Sequence, residues 1–221
     1  MIAFSSYIIY VTVGFFLGFI SAINKNGFWD SVISIFVMVF ASIPSFVFLF
    51  LLMLLFAYHL DWLPTQFLAD EVKGKSYYLG FILPIVAVSV GPIADFTRIV
   101  RGELTESINS EYMVLARTKG LTKKQALLRH ALRVSLVPII PTIILFFVSI
   151  ISGSLVIELV YSIPGVGRIY FRSLEALDYN LLMALTSIYT FISLFAALLI
   201  DLTYVIVDPR IRIGMKKSSL L

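Results

Sequence analysis

The stretch that decides the fold is residues 98–133, RIVRGELTESINSEYMVLARTKGLTKKQALLRHALR. It is polar and basic, and it lies between two apolar blocks that are each long enough to cross a bilayer. Residues 110–119 are predicted to form a short helix that ends at Gly120, because glycine adopts the left-handed conformation after a helix at little cost. Thr122 and Gln125 have the spacing of a capping box, which predicts that a second helix begins at once.

Both short helices are predicted to be amphipathic. In the first helix, Tyr112, Leu115 and Ala116 share one face. In the second helix, an apolar face lies opposite Arg129 and Arg133. That apolar face consists of Leu127, Leu128, Ala131 and Leu132. We therefore expect a bent, basic helix pair that lies against a membrane surface and offers a binding surface to another protein.

The composition indicates a membrane protein. Of the 221 residues, 60% are hydrophobic and 14% are charged, and the mean hydropathy is +0.99. A soluble domain is usually about half apolar and about a quarter charged. We predict an all-α, polytopic helical bundle that forms one membrane domain over residues 1–221. The chain has no cysteine, which excludes disulfides, thiol catalysis and cysteine metal sites from this sequence.

Hydropathy predicts five membrane spans. They cover about residues 4–23, 32–58, 79–96, 134–160 and 181–207. Pro44 predicts a kink near the middle of the second span. Pro84, Gly91 and Pro92 predict that the third span is broken.

Two groups of small residues are predicted to be packing surfaces. Gly14, Gly18 and Ala22 recur at every fourth position of the first span, so another helix can approach them closely. A second group lies within residues 149–154 of the fourth span. Packing is a better interpretation of both groups than solute binding, and one of them is expected to face a partner subunit.

The distribution of Lys and Arg predicts the orientation. One set of loops, which includes 98–133 and the C-terminal tail, carries 13 of these residues, and the opposite set carries 4. Basic loops stay in the cytoplasm, so residues 98–133 and the C-terminus are predicted to be cytoplasmic. With five spans, the N-terminus would lie outside.

Three acidic residues lie near the ends of predicted spans, where a charge is costly unless it is hydrated or paired. For Asp95 and Asp201 we favour a role in helix packing over a role in solute binding. Glu158 is predicted to face the outer side, where it is a candidate gate residue or receptor contact. The segment after Glu158 contains Pro164, Gly165 and Gly167, which predict a tight turn. A simple loop and a receptor contact are both compatible with that turn.

Residues 98–133 resemble the cytoplasmic loop of the membrane-spanning permease subunits of ABC importers, in the oligopeptide, dipeptide and nickel branch. The general pattern of that loop is matched only at Ala116, Gly120 and Leu132. The version found in the peptide branch is much closer. Its features are Tyr112, the run ARTKGL at 116–121 and the run RHALR at 129–133.

Further fragments resemble the same branch in order and spacing, so the resemblance covers nearly the whole chain. They are DWLP at 61–64, Arg98 with Arg101, SGS at 152–154 followed by Glu158, PGVG at 164–167, and DPR at 208–210. Arg133, where other branches have proline, resembles the B-type rather than the C-type subunit. Members of this group carry a further N-terminal transmembrane helix, and from this comparison we expect that the chain is truncated or genuinely shortened.

The resemblance implies a transport protein of the bacterial cell membrane rather than an enzyme. Its coupling helix would bind a separate ATPase subunit, and the residues that match this role are Tyr112, Ala116, Arg117, Lys119, Gly120 and Leu121. The implied partners are a C-type permease subunit, two ATPase subunits, an extracellular solute-binding protein and membrane lipid. ATP and Mg²⁺ would be bound by the ATPases, since the sequence has no GxxxxGK[ST] motif. Oligopeptides or dipeptides are the expected solutes.

Other functions make different demands on the sequence. Nickel or metal chelates are alternative solutes within the same branch. An ion-coupled secondary transporter would need paired acidic residues deep in the spans and repeated halves, and a membrane enzyme would need a polar cluster on facing helices. A DNA-reading helix pair conflicts with tethering by membrane spans on both sides, so no nucleic acid is expected. His59 and His130 lie on opposite sides of the predicted bilayer, so no metal site is predicted.

Overall fold

The computed structural model describes residues 2–67, 75–151 and 155–207. Within them every regular element is helical, which confirms the all-α prediction. The helices are α1 (Ile2–Ile23), α2 (Phe28–Ser42), α3 (Ser45–Leu52), α4 (Lys75–Leu79), α5 (Ile82–Ile108), α6 (Glu111–Thr118), α7 (Lys123–Ala126), α8 (Leu132–Ile151), α9 (Leu155–Val160), α10 (Val166–Glu175) and α11 (Tyr179–Val207). Two π-helical segments, Met53–His59 and Leu127–Ala131, extend α3 and join α7 to α8. The predicted fragments at 152–154 and 208–210 lie outside the described residues.

Four helices of the described chain are long and apolar enough to cross a membrane. They are Ile2–Ile23, Tyr77–Ile108, Lys123–Phe147 and Tyr179–Thr203. The predicted second span corresponds to Phe28–Ser42 and Ser45–His59, which meet the same criterion only as a pair. The five predicted spans are thus four continuous helices and one bent pair.

The bend in the second span is larger than the predicted kink. The two helices of the pair meet at 99°. Pro44 has no N–H to donate, and it disfavours the helical conformation at the residue before it. Accordingly, Ile43 is extended, with φ −94° and ψ 119°, and α3 begins just after Pro44. The break therefore has a local cause.

The predicted third span is neither broken nor short. Helix α5 is continuous through Pro92 and runs on to Ile108, well beyond the predicted end at residue 96. Pro84 lies in the first turn of α5, where a missing N–H costs no helical hydrogen bond. Beyond residue 96 the sequence becomes polar but remains compatible with a helix. The change in polarity marks the end of the apolar part and not the end of the helix.

Helix α5 is the centre of the bundle, and α1 packs closely along it. A Cβ atom added at Gly18 would lie 2.7 Å from Val100 Cβ and 2.8 Å from the Thr97 carbonyl oxygen. The Thr97 hydroxyl donates a hydrogen bond to the Gly14 carbonyl oxygen at 3.3 Å. The predicted packing role of Gly14 and Gly18 is confirmed. Because α5 of the same chain occupies this face, it does not face a partner subunit.

We predict that Gly18→Ala destabilises the fold by about 1–3 kcal/mol, since the new methyl group would overlap both the backbone and a β-branched side chain of α5. The measurement is thermal unfolding of the purified chain in detergent. Gly102→Ala is the matched control, because a Cβ at Gly102 meets nothing within 4 Å. Equal stability of the two variants would contradict the close α1–α5 packing.

Candidate functional site

Helix α6 is closed at its C-terminus by a Schellman arrangement around Gly120. Gly120 has φ +86°, the left-handed conformation expected from the sequence. Its N–H donates to the Arg117 carbonyl oxygen at 3.0 Å, and the Leu121 N–H donates to the Ala116 carbonyl oxygen at 3.3 Å. A Cβ added at Gly120 would meet nothing within 4 Å. Glycine is therefore favoured at position 120 by its backbone conformation and not by a lack of space for a side chain.

The predicted capping box of the second helix is present. The Gln125 N–H donates to the Thr122 hydroxyl oxygen at 3.3 Å, and the Thr122 N–H donates to the Gln125 side-chain oxygen at 3.1 Å. Helix α7 thus begins three residues after Gly120, and the chain turns sharply between α6 and α7. Local sequence alone determines this turn.

Helix α6 rests on a cluster of small and apolar side chains, which we call the seat. Its buried members are Ala22, Leu104, Met113, Ala116, Ala126 and Ala131. The buried Ser107 hydroxyl donates to the Ala131 carbonyl oxygen at 2.8 Å, which joins the end of α5 to the π-helical segment. Because four of the six members are alanines, the elements approach one another closely. The seat fixes α6 to the end of α5.

The face of α6 opposite the seat is exposed, and we call it the outer face. It presents Tyr112, Val114 and Leu115, which are 50%, 65% and 56% exposed, together with the exposed Arg117 and Lys119. Large exposed apolar side chains beside basic ones are typical of a surface that another protein covers.

The structure corrects the predicted face of α6. Ala116 is 4% exposed and lies in the seat with Met113, whereas Tyr112 and Leu115 point away from it. Ala116 therefore permits close approach within this chain and not to a partner. Leu121 is half-buried and packs against the seat. The other residues that match the coupling role, Tyr112, Arg117, Lys119 and Gly120, are exposed.

An ion pair between a buried carboxylate and a partly exposed arginine joins α5 to α2. Arg101 donates from Nε to Asp30 Oδ1 at 2.6 Å and from Nη2 to Asp30 Oδ2 at 2.8 Å. Asp30 is 4% exposed, and it also accepts hydrogen bonds from the Ser21 hydroxyl of α1 and from the Asn26 N–H at 2.8 Å. The carboxylate thus ties α1, the α1–α2 loop and α5 to the start of α2.

Sequence reasoning assigned no role to Asp30. The available signal was the predicted topology, which places the loop before the second span on the same side of the membrane as Arg101. An acidic residue in that loop and an arginine near the start of residues 98–133 could therefore meet. Many basic residues lie on that side. The packing of α1 against α5 determines which of them contacts Asp30.

We predict that Arg101→Gln destabilises the fold by about 3–5 kcal/mol, because it leaves a buried carboxylate without its cation. Asp30→Asn should cost less, since the Arg101 side chain is 34% exposed and can be hydrated, whereas the Asp30 side chain is 5% exposed. Denaturant unfolding in detergent measures the loss of stability in both variants. Arg172→Gln is the control, because Arg172 is exposed. The ion pair would not be a stabilising anchor if all three variants unfolded alike.

At the other end of α5, Glu158 caps α10. The Gly167 N–H donates to Glu158 Oε2 at 2.8 Å, and a Cβ at Gly165 would overlap the same oxygen. A carboxylate at a helix N-terminus is favoured by the helix dipole. The structure thus brings Glu158, Gly165 and Gly167 together, while Pro164 is exposed at the turn. A gate or receptor role for these residues stays a prediction.

Tyr161 joins two loops at this end of the bundle. Its hydroxyl donates to the Pro64 carbonyl oxygen at 2.5 Å, and its carbonyl oxygen accepts from the Phe67 N–H at 2.9 Å. Burial raises the pKa of Tyr161 to about 12, so its hydroxyl remains a donor. No sequence pattern indicated this role of Tyr161, although it lies close to two fragments of the resemblance, at 61–64 and 164–167.

In the part of the chain that the structure describes, Asp95 and Asp201 do not have the predicted packing role. Both residues are exposed, and Asp95 lines an open cleft between α2 and α5. Helical periodicity places these side chains away from the buried faces of α5 and α11. Within the described residues, no group of three or more His, Asp or Glu side chains could hold a metal ion.

Comparison with known proteins agrees with the resemblance in the sequence. The family described as "Binding-protein-dependent transport system inner membrane component" matches residues 14–213. The chain is 36% identical over 202 residues to the oligopeptide transport system permease protein OppB of Haemophilus influenzae, which covers 91% of this chain and 64% of that protein. It is 36% identical over 201 residues to the dipeptide transport system permease protein DppB of Lactococcus lactis, with coverages of 91% and 64%. The chain spans less than two thirds of the length of these two relatives.

Proposed function

Since the chain belongs to the family of binding-protein-dependent transport system inner membrane components, we propose that it is a permease subunit of an ATP-driven importer of oligopeptides or dipeptides. The observation that carries the proposal is the outer face of α6: an exposed apolar and basic surface on a helix that is fixed to the end of α5. A separate ATPase subunit would bind this face. That subunit, and not this chain, would bind ATP with Mg²⁺.

The orientation follows from the charge distribution. The end of the bundle that carries α6 is rich in Lys and Arg, which supports a cytoplasmic position for it and for the C-terminus. Glu158, Pro164, Gly165 and Gly167 then lie on the outer side. There they are candidates for a contact with an extracellular solute-binding protein or for an external gate.

Force applied to α6 can reach the membrane-spanning helices through a chain of described contacts. The seat connects α6 to the last turns of α5, and Asp30 connects α5 to α1 and to the start of α2. Helices α2 and α3 form the sharply bent pair, which is suited to change its angle. We therefore expect that closure of two ATPase subunits tilts α5 and repositions the bent pair, and that this opens and closes the solute path.

The apolar surface of α11 fits the remaining partners. Large side chains are exposed along most of its described length, including Met183, Ile188, Phe191, Leu194 and Leu198. Membrane lipid and a second, C-type permease subunit would cover such a surface. The peptide class of solute follows from the similarity to OppB and DppB, and no observation within the described residues favours a metal chelate over a peptide.

Co-purification tests the proposed ATPase contact. We predict that Leu115→Asp lowers the affinity for the ATPase subunits at least about tenfold, because it puts a charge in the middle of the apolar outer face. The matched control is Val166→Asp, which changes an aliphatic residue of 46% exposure at the opposite end of the bundle. The complex is expressed with all subunits and purified in detergent through a tag on this chain. ATPase subunits that never co-purify with the unmutated chain would contradict the proposal.

Gly120 provides a test of coupling. We predict that Gly120→Val lowers the amount of peptide imported per ATP hydrolysed in proteoliposomes, because a β-branched residue disfavours φ +86° and would disturb the turn between α6 and α7. Gly102→Val is the control, since both glycines are exposed and neither has an atom within 4 Å of an added Cβ, but Gly102 is helical. An unchanged ratio of transport to hydrolysis in Gly120→Val would argue against α6 as the coupling element.

A further inference from the structure

An open cleft of about 480 Å³ lies between α2 and α5. Its α5 wall carries Asp95, Arg98 and Arg101, and its α2 wall includes Ser34, Met38 and Ser42. This volume lies within the range of small-molecule binding sites. The cleft is distinct from the outer face of α6 and from the turn at Glu158.

The three charged residues that α5 contributes to the cleft differ in their electrostatic surroundings. They are spaced three apart, so they lie along one face of the helix. The charge of Arg101 is neutralised by Asp30 through two hydrogen bonds. Asp95 and Arg98 are exposed, and neither forms an ion pair with a described residue. One negative and one positive group are thus available in the cleft.

Opposite charges at this spacing normally stabilise a helix by pairing with each other. Here both charges lie on a helix that is long enough to cross a membrane, where each charge needs water or a partner. The facing α2 wall supplies apolar surface from Ile33, Val37 and Met38 and hydroxyl groups from serines. A small solute with one positive and one negative end would match this arrangement.

We propose that this cleft is a subsite of the solute path that binds the two charged ends of a short peptide. The Asp95 carboxylate accepts hydrogen bonds from the terminal ammonium group. The Arg98 guanidinium donates to the terminal carboxylate, for which its planar arrangement of donors is suited. The inference rests on the proposed function, because it assigns the charged ends of the imported solute to residues of this chain.

Uptake of peptides with free and blocked ends tests the subsite. The complete importer is reconstituted in proteoliposomes, and the probes are L-alanyl-L-alanine, its N-acetyl derivative and its C-terminal amide. We expect Asp95→Asn to reduce uptake of the free peptide about three- to tenfold, the size of a lost charged hydrogen bond at an exposed site, and to leave the N-acetyl derivative unaffected. Arg98→Gln should reduce uptake of the free peptide similarly and leave the amide unaffected.

The controls are Glu175→Gln and Lys25→Gln, which neutralise exposed charges outside the cleft. Any preference of the solute-binding protein is common to all variants, so the ratio of variant to unmutated uptake reports on the permease. Equal losses for all three peptides would overturn the subsite, because the loss of a residue that binds one end must spare the peptide in which that end is blocked. Unchanged uptake in both cleft variants would also overturn it. If the unmutated importer took up none of the peptides, the proposed function itself would fail.

Discussion

The arrangement of the helices depends on one buried carboxylate. Asp30 collects hydrogen bonds from α1, from the loop that follows it and from Arg101 of α5. A buried charge is costly unless its partners are in place, so the three segments can take only those relative positions in which the carboxylate is satisfied. The close contact of Gly18 with Thr97 and Val100 imposes the same alignment of α1 and α5 by shape. The hydrogen bonds of Asp30 and the close contact at Gly18 therefore favour the same packing of α1 against α5.

This alignment gives α5 its place as the common element of three sites. Its C-terminal turns contribute Leu104 and Ser107 to the seat of α6. Its middle carries Asp95 and Arg98 in the cleft, and its N-terminal part packs with the cluster around Tyr161. A displacement of α6 would therefore move the cleft and the opposite loops together. A single long helix that extends beyond the apolar region is a direct way to connect the two ends of a membrane protein.

How much could be predicted depended on the distance in sequence between the interacting groups. The turn at Gly120 and the capping box at Thr122 involve neighbours within a few residues, and both are confirmed. Hydropathy located the spans, because it reports the apolar character of each segment. It could not predict that α5 continues to Ile108 or that the bent pair meets at 99°, since polarity does not end a helix and tertiary packing determines the angle after Pro44.

Within the single short helix α6, too, contacts that are distant in sequence could not be predicted from the local pattern. Both sides of α6 contain apolar residues, so periodicity did not reveal which side is buried. The answer lies in residues distant in sequence: Ala22, Leu104 and Ala131 form the part of the seat that packs against Ala116 and Met113. Tyr112 and Leu115 are excluded from it and remain exposed. The packing that buries Ala116 and Met113 thus also leaves Tyr112 and Leu115 exposed, so it determines which side of α6 is available to another protein.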